Sequence, residues 1–421
     1  MNGSVYQAGR GPHRVRSAEG DSHRLRSTVP VDQETSSAQG ANLPASKRPR
    51  VAHLLHSDSS GGGPVSVSRM LKHFHSTQDQ VMLAGDRGRI FATCQELQIP
   101  FYQLPLETKG KAILAGFWLL IWQLRQLRPD ILVVHGQWAG PLGAVAGRLA
   151  GVPKLIYVAR WPAFYTSWDL LRVVRNHLSE RVPCRLCDWT VTLSESNRYQ
   201  YFIRRHVEEG RLLMIPNAIS PEDRPTAEQV AVFRRQYEWS DEHCNVVSAG
   251  RLSDQKRVMW LVQSWPRVIQ RCPQARLWIV GDGPRRTYLE NLARELGICD
   301  TCVFMGEKAS GMVAIASADV VAMTSVYESR GNVAMEAMLC GRPVVASDVD
   351  GVRDTINREV DGFLVRPGDI QDFANRLIQL IEDPALRQKM GAAGRRSIQR
   401  YDVPLVMREY EKLFAVALAQ S

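Results

Sequence analysis

The pattern of hydrophobic and polar positions divides the first half of the chain into short apolar runs and longer segments with helical periodicity. The helical segments are rich in Leu, Arg and Ala. Nearly continuous apolar strands that alternate with helices are typical of a parallel sheet covered on both faces. The predicted strands of this half are residues 51–57, 80–85, 131–136, 154–160 and 189–194.

A second series of strands follows a segment that contains three prolines, residues 212–225. This segment is predicted to be a last strand followed by a linker. The pattern therefore predicts an α/β protein of two doubly wound, Rossmann-like domains whose strand ends face each other across a cleft. The predicted strands of the second half are residues 245–252, 275–283, 302–307, 319–325, 343–348 and 362–365.

The length and composition agree with two domains, because 421 residues with 44% hydrophobic side chains suffice for two cores. We place the first domain at residues 49–216 and the second at 217–400, followed by an amphipathic helix at 401–421. Residues 1–48 are predicted to be a disordered basic tail, because they contain few large apolar groups and no periodicity.

The charge of the chain excludes little but favours some partners. Eight Lys/Arg and four Asp/Glu fall within residues 1–50, so this segment carries +4 of the formal net charge of +10. The remaining surplus is mild, and it suits anionic small molecules or an anionic membrane surface better than nucleic acid. "SKRPR" at residues 46–50 is either a nucleic-acid or targeting patch or, the interpretation we favour, a solvated tail.

The start of the chain contains no apolar core of the kind a secretory signal needs, so we expect a cytoplasmic protein. Its eight cysteines are then expected to be reduced. Two CxxC pairs, at 184/187 and 299/302, are too far apart in sequence for a zinc ribbon, and no metal site is expected.

The first candidate site is "SAGRLSDQKR" at residues 248–257, where Arg251 and Lys256 follow a predicted strand end. Two cations beside a glycine-permitted turn can hold a diphosphate. An exposed charged loop is the alternative.

A second candidate is "VGDGPRR" at residues 280–286, where Gly281 and Gly283 join a strand to a helix that starts at Pro284. Free amides at such a junction bind anions. Arg286 stands where a dinucleotide fingerprint needs its third glycine. Close packing of the turn is the alternative explanation of both glycines.

The third candidate, "YESRGNVAMEAMLCGRPVVASD" at residues 327–348, contains Glu328 in a turn and Glu336 inside a short helix. The helix is predicted to begin near Asn332, with the Asn332 side chain as its cap. The amides of Gly331, Asn332 and Val333 then form an anion site. Glu336 shares an apolar stripe, where a carboxylate needs partners such as sugar hydroxyls; a first-turn acid on the helix dipole is the alternative.

The first half adds a glycine-rich turn and three side chains at predicted strand ends. Gly62 and Gly63 belong to a three-glycine run that allows a phosphate to approach the backbone closely. His135 and Trp138 follow one strand, and Arg160 ends the next.

Together these motifs, in this order and spacing, resemble family 4 glycosyltransferases of the GT-B fold. The shared features are Gly-Arg-Leu-x-x-x-Lys, Val-Gly-Asp-Gly-Pro and two glutamates with seven residues between them. The resemblance covers residues 51–418 and is strongest over 245–368. It implies transfer of a sugar from a nucleotide-sugar donor to a glycan or lipid-linked acceptor, in cell-surface polysaccharide synthesis.

The resemblance also implies roles for individual residues. Arg251 and Lys256 hold the donor diphosphate, and Gly62 and Gly63 approach it from the acceptor domain. Glu328 binds the transferred sugar near its anomeric carbon, and Glu336 binds the ribose. His135 lies by the reacting sugar.

Further implications concern the mechanism and the domains. The resemblance implies retention of anomeric configuration without a metal or other cofactor, and Asn217 at the hinge between the domains. The terminal helix is implied to cross back onto the first domain.

The chain departs from the family pattern at three places: Arg257 and Ala218 replace glycines, and Ala159-Arg160-Trp161 replaces a His-Gly. The third departure makes residues 159–168 a candidate acceptor loop, with Arg160 and Trp138 on the acceptor side.

Other interpretations remain open at this point. Residues 109–128 form either a helix packed on the sheet, which we favour, or one that lies on an anionic membrane, at its inner face. A sugar-nucleotide epimerase of the same fold and a nucleic-acid binder using the basic tail are the alternative functions. A nicotinamide oxidoreductase is disfavoured by the missing glycine.

Overall fold

The computed structural model describes residues 48–57, 62–106, 112–160, 170–204, 206–307 and 310–420. The predicted tail, except for Arg48, and residues 161–168 of the candidate acceptor loop lie outside these ranges.

The first half of the chain forms a seven-stranded parallel sheet with the order β3-β2-β1-β4-β5-β6-β7. Its strands are β1 Arg50–Leu55, β2 Asp79–Ala84, β3 Phe101–Gln103, β4 Ile131–His135, β5 Lys154–Ala159, β6 Trp189–Thr192 and β7 Leu212–Met214. The helices around it are α1 Gly62–Phe74, α2 Arg89–Glu96, α3 Ala112–Leu127, α4 Ala139–Ala150, α5 Leu170–Leu186 and α6 Glu195–Ile203.

The second half repeats this plan with six parallel strands in the order β10-β9-β8-β11-β12-β13. They are β8 Cys244–Ala249, β9 Ala275–Val280, β10 Cys302–Gly306, β11 Val320–Met323, β12 Val344–Ser347 and β13 Gly362–Val365. Its helices are α7 Ala227–Gln236, α8 Val258–Arg271, α9 Arg286–Glu295, α10 Gly311–Ser317, α11 Asn332–Leu339, α12 Ile370–Glu382 and α13 Pro384–Ser397; α14 Val403–Ala419 ends the chain.

The strands form because their apolar side chains are covered on both faces. All five residues of β4 are buried, and so are all four of β11. In each sheet the strand order reverses once, between β1 and β4 and between β8 and β11. Ligands of doubly wound sheets bind beyond the carboxyl ends of the strands at this reversal. The predicted fold class, two doubly wound Rossmann-like units, is confirmed.

The last helix, α14, packs on the first sheet rather than on the second. Tyr410, Leu413 and Phe414 belong to the same buried cluster as Ile131 and Val133 of β4. Burial of several large side chains contributes on the order of 1.5–3 kcal/mol each, so this helix fastens the end of the chain to the first unit.

Candidate active site

The candidate site lies where the two strand-order reversals face each other. Polar contacts cross between the units beside it: Asn197 Nδ2 donates to the Ser329 carbonyl at 2.8 Å, and Ser329 Oγ donates to the Arg160 carbonyl at 2.6 Å. Asp354 accepts from the amide and hydroxyl of Ser196 at 2.8 and 2.9 Å. The cleft is therefore closed around its polar residues in this conformation.

Lys256 and Glu328 form an ion pair at the carboxyl ends of β8 and β11. Lys256 Nζ lies 2.6 Å from Glu328 Oε1, which also accepts from Ser325 Oγ at 2.7 Å. Both side chains are largely buried. Thr324 Oγ1 donates to the Lys256 carbonyl at 3.0 Å, so the two loops hold each other. The predicted Lys256 and Glu328 are thus brought together.

Arg251 lies at the same strand end as Lys256 but points outward. It is exposed and makes no hydrogen bond or ion pair with the described residues. Beside it, Gly250 has a φ of 138°, and the Lys256 Cε lies 3.5 Å from where a Cβ of Gly250 would stand. Arg251 directly follows Gly250, and the Lys256 ammonium group lies beside the same glycine, so two cations are available near one turn, which suits a diphosphate.

Gly281 and Gly283 pack against this turn. A Cβ on Gly281 would lie 2.1 Å from the Gly250 carbonyl oxygen, and one on Gly283 would lie 2.5 Å from the Leu252 carbonyl oxygen. Both have positive φ, at 125° and 156°. Backbone contact explains both glycines, and their predicted contact with a donor stays a prediction.

The N-terminus of α11 differs in one respect from the sequence-based expectation. Gly331, with a φ of 77°, is the cap residue, and no side chain caps the helix. The expectation that Asn332 caps it is wrong, because Asn332 is already the first helical residue. Its Oδ1 instead accepts from Asn217 Nδ2 at 2.9 Å. The first amides of α11 therefore keep no intrahelical acceptor and are available to an anion.

The N-terminus of α1 approaches that of α11 across the cleft. A Cβ on Gly62 would lie 1.9 Å from Asn332 Nδ2, and one on Gly63 would lie 3.6 Å from Arg160 Cδ. A side chain at Gly62 would require the Asn332 amide group to move. Two positive helix ends thus converge on one place.

Glu336 lies one turn inside α11 and faces the cleft. No described residue donates a hydrogen bond to its carboxylate, which is enclosed by protein yet still reachable by solvent. Burial raises the pKa of Glu336 to about 7, against the lowering effect of Arg69 and Lys256. A carboxylate in such a place costs free energy until hydroxyl groups hydrogen-bond to it.

In the first unit, two consecutive side-chain contacts link Arg160 to two histidines. Arg160 Nη2 lies 3.1 Å from His135 Nδ1, and His135 Nε2 lies 3.2 Å from His53 Nδ1. Burial holds the pKa of His135 well below its usual value and that of His53 at about 3. Both rings are therefore neutral at pH 7.

The tautomers follow from the partners. A guanidinium only donates, so His135 Nδ1 accepts and its proton lies on Nε2, which donates to His53. His135 is 1% exposed, so in this conformation its ring supports Arg160, and its predicted position beside the sugar stays a prediction.

Arg160 is a partly buried cation without a carboxylate partner among the described residues. Its Nε is buried and has no hydrogen-bond partner there, and burial lowers its pKa. An unpaired buried cation is costly, and an anionic ligand offsets that cost. Trp138, the other residue predicted on the acceptor side, is 61% exposed at the start of α4 and tilts against His56 with ring centroids 6.3 Å apart.

Several residues of the site escaped the sequence-based prediction. Ser325, Ser329, Asn197 and His53 make the contacts described above. A histidine inside the apolar run of β1 was the available signal for His53, and Ser325 lies only three residues from its partner Glu328. Ser329 and Asn197 act through partners that are distant in sequence.

The described part of the chain contains no cluster of His, Cys, Asp or Glu that could hold a metal ion. Within that part, no helix combines the length and the apolar character needed to cross a membrane.

Comparison with known families gives two matches that together cover most of the chain. Residues 60–223 match the profile of Glycosyltransferase Family 4, and residues 243–383 match that of Glycosyl transferases group 1. The two matched regions correspond to the two doubly wound units.

Individual relatives agree with these profiles. An uncharacterized glycosyltransferase of Methanocaldococcus jannaschii is 30% identical over 300 residues, which are 69% of this chain and 76% of that protein. A lipopolysaccharide core biosynthesis glycosyltransferase, LpsD, of Rhizobium meliloti is 31% identical over 42% of this chain and 50% of its own length. The crystal structure of Anabaena HepE in complex with UDP and glucose superposes with a TM-score of 0.77 at 22% identity, over 88% of this chain and all of that one. The predicted GT-B fold is thereby confirmed.

Proposed function

This chain belongs to glycosyltransferase family 4, and we propose that it moves a sugar from a nucleotide-sugar donor to a glycan or lipid-linked acceptor with retention of anomeric configuration. The main support for this proposal is the environment of Glu336. Its carboxylate has no protein partner among the described residues, has a raised pKa and stands one turn behind the amides of α11. Ribose hydroxyls supply the donors that it lacks while the diphosphate binds those amides.

The donor diphosphate is proposed to lie between Arg251, Lys256 and the two helix ends. The HepE structure, whose fold this chain shares, contains UDP, so uridine diphosphate sugars are the first donors to test. Gly62 and Gly63 are proposed to bring the first amides of α1 toward this phosphate, beside Asn332 and Arg160.

Bond cleavage then needs little beyond these groups. The bond between the anomeric carbon and the diphosphate oxygen breaks, and the electron pair leaves with the diphosphate. Lys256, Arg251 and the helix dipoles neutralise the charge that develops on it, as a metal ion does in other transferases, so we propose that no metal is required.

Glu328 is proposed to bind hydroxyls of the transferred sugar close to the anomeric carbon. Its Oε1 is held by Lys256 and Ser325, and its Oε2 is proposed to accept from the sugar. The acceptor hydroxyl forms its bond on the face that the diphosphate leaves, and its proton passes to the departing phosphate. A covalent intermediate followed by a second displacement also gives retention.

The acceptor is proposed to bind over Arg160 and Trp138. Arg160 offers a positive charge and Trp138 an exposed ring, which together suit a sugar or lipid carrying an anionic group. The lipopolysaccharide relative supports an acceptor of cell-surface polysaccharide synthesis, which a cytoplasmic enzyme reaches at the inner face of a membrane.

Turnover of UDP-glucose and related nucleotide sugars tests this function. We expect release of the nucleoside diphosphate in EDTA when an acceptor mixture is present, and a product whose anomeric proton has the coupling constant of the donor by NMR. Glu328→Gln should abolish release, while Glu295→Gln, an exposed carboxylate on α9, should not. Interconversion of nucleotide sugars without an acceptor would instead identify an epimerase.

A further inference from the structure

Helix α3 exposes an apolar stripe that is unusual for a surface helix. Leu114, Trp118 and Trp122 follow one another at intervals of four residues and are 62%, 64% and 55% exposed, with Leu119 beside them at 38%. The opposite face of the helix, with Leu120, Ile121 and Leu124, is buried in the core. A helix that packs by one face normally carries polar residues on the other.

The stripe continues into a pocket at the edge of the cleft. This apolar pocket of about 120 Å³ lies between the starts of α3 and α4; its lining residues are Leu54, His56, Leu106, Ile113, Trp138, Ala139 and Leu142. Ile113 directly precedes the stripe, and Leu54 and Trp138 stand at the carboxyl ends of β1 and β4. An apolar path therefore joins the outer surface of the first unit to the site.

The charges around the stripe identify what covers it. Residues 109–128 contain four basic and no acidic residues, and the four are Lys109, Lys111, Arg125 and Arg128. In sequence, Lys109 and Lys111 precede the apolar run, outside the described residues, and Arg125 and Arg128 follow it. Aromatic and aliphatic groups in the middle with cations at the margins match the interface of an anionic bilayer, where tryptophan and lysine are favoured. A protein partner would not require this distribution.

We propose that the α3 stripe rests on an anionic lipid bilayer and presents the cleft to acceptors carried in that bilayer. The sequence-based preference for a helix packed on the sheet describes only its inner face. The inference deepens the proposed function, on which its biological meaning rests, but lipid binding and donor binding are measured independently.

Vesicle flotation of the full chain tests the proposal. The vesicles contain phosphatidylcholine with an equal share of phosphatidylglycerol, or phosphatidylcholine alone. We expect the protein to float with the anionic vesicles at low salt and to be released at high salt. The double variant Trp118→Gln/Trp122→Gln should partition at least about tenfold less. Val360→Gln/Leu405→Gln, which removes two exposed apolar groups elsewhere, should float like the wild type.

Thermal stabilisation by UDP is measured for each variant. Retained UDP binding by the stripe variant separates lost membrane contact from misfolding. Flotation of wild type and stripe variant to the same extent, or of neither, overturns the proposal even when UDP binding is intact. A dimer in sedimentation velocity that the stripe variant dissociates would assign the stripe to a second copy. Flotation that appears only after deletion of residues 1–47 would indicate that this segment, rather than a bilayer, covers the stripe in the full chain.

Discussion

Lys256 Nζ and Glu328 Oε1 lie 2.6 Å apart at the junction of two loops, so one contact joins the cation proposed for the leaving diphosphate to the carboxylate proposed for the sugar. The pair is largely buried, which makes it more than a surface ion pair. Under the proposed function, Lys256 therefore has two tasks: it attracts the donor and it orients Glu328.

Replacement of Lys256 by Gln tests whether this residue acts through its specific position in the site or only through its positive charge. We expect kcat/KM for the donor to fall about 10²–10³-fold, as for loss of one preorganised charge at a developing anion. Arg285→Gln, which removes an exposed cation paired with Asp254 nearby, is the matched control and should change kcat/KM by less than about threefold. Equal effects of both variants would show that Lys256 acts only through net charge.

The raised pKa of Glu336 predicts a pH dependence of donor binding. Ribose hydroxyls donate to the ionised carboxylate, so below its pKa of about 7 the group must lose a proton when UDP binds. The Kd for UDP should therefore rise by up to about tenfold per pH unit as the pH falls below 7. Calorimetric titration from roughly pH 8 to pH 5 measures this slope.

Glu336→Gln should bind UDP more weakly at pH 8 and lose most of the slope. A slope that persists in this variant would place the titrating group elsewhere, for example on the nucleotide phosphate.

The raised pKa of Glu336 also predicts that its contribution to the stability of the free protein falls as the pH rises, whereas the affinity for UDP increases. Its folded pKa exceeds the usual 4.5, so the folded state binds this proton more tightly than the unfolded state. The contribution of Glu336 to stability is therefore full below about pH 4.5 and is lost as the pH rises through about 7. Glu336→Gln should raise the Tm relative to wild type more at pH 8 than at pH 5; a Tm difference that does not depend on pH would contradict the assignment.

Arg160→Gln should reduce activity without reducing stability. The variant removes a partly buried cation whose Nε is buried without a partner and which has no carboxylate partner among the described residues, so its Tm should equal or exceed that of wild type. We expect a higher KM for the acceptor and a Kd for UDP within about threefold of wild type. Arg160→Lys keeps the charge and should restore part of the acceptor affinity. A loss of UDP affinity instead would move Arg160 to the donor side.

Gly281→Ala distinguishes packing from donor contact at the second glycine motif. Its new Cβ would collide with the Gly250 carbonyl at a φ of 125°, and we expect a loss of about 2–4 kcal/mol in stability. Gly297→Ala, at a φ of 66° with open space around it, should cost only about 1 kcal/mol. Weaker UDP binding at unchanged Tm for Gly281→Ala would favour direct contact with the donor.

The sequence was sufficient for the fold because its signals are local. The nearly continuous apolar runs of β1, β4, β8 and β11 alternate with helical segments, and this pattern is typical of a parallel sheet covered on both faces. The three-residue strand β3, Phe101–Gln103, was missed because so short an edge strand has no period of its own.

The site was only partly predictable, because its decisive contacts join distant residues. The motifs predict Lys256 and Glu328 as site residues. Their contact could not be predicted, because the two residues are 72 positions apart in sequence. The contacts that link Arg160 to His135 and His53 depend on β5, β4 and β1 being neighbours in the sheet. The role of Asn332 was mistaken because a positive φ at Gly331 begins the helix one residue earlier than a cap at Asn332 requires.

Thermal shift against UDP, GDP, ADP and NAD in EDTA, with wild type and Glu336→Ala side by side, tests the proposed donor site at Glu336. A ligand at about a hundred times its Kd adds roughly 2.7 kcal/mol of stability. We expect stabilisation by one nucleoside diphosphate, unaffected by EDTA and weakened in Glu336→Ala. Stabilisation by NAD alone, or by none of the four, would contradict the donor site at Glu336.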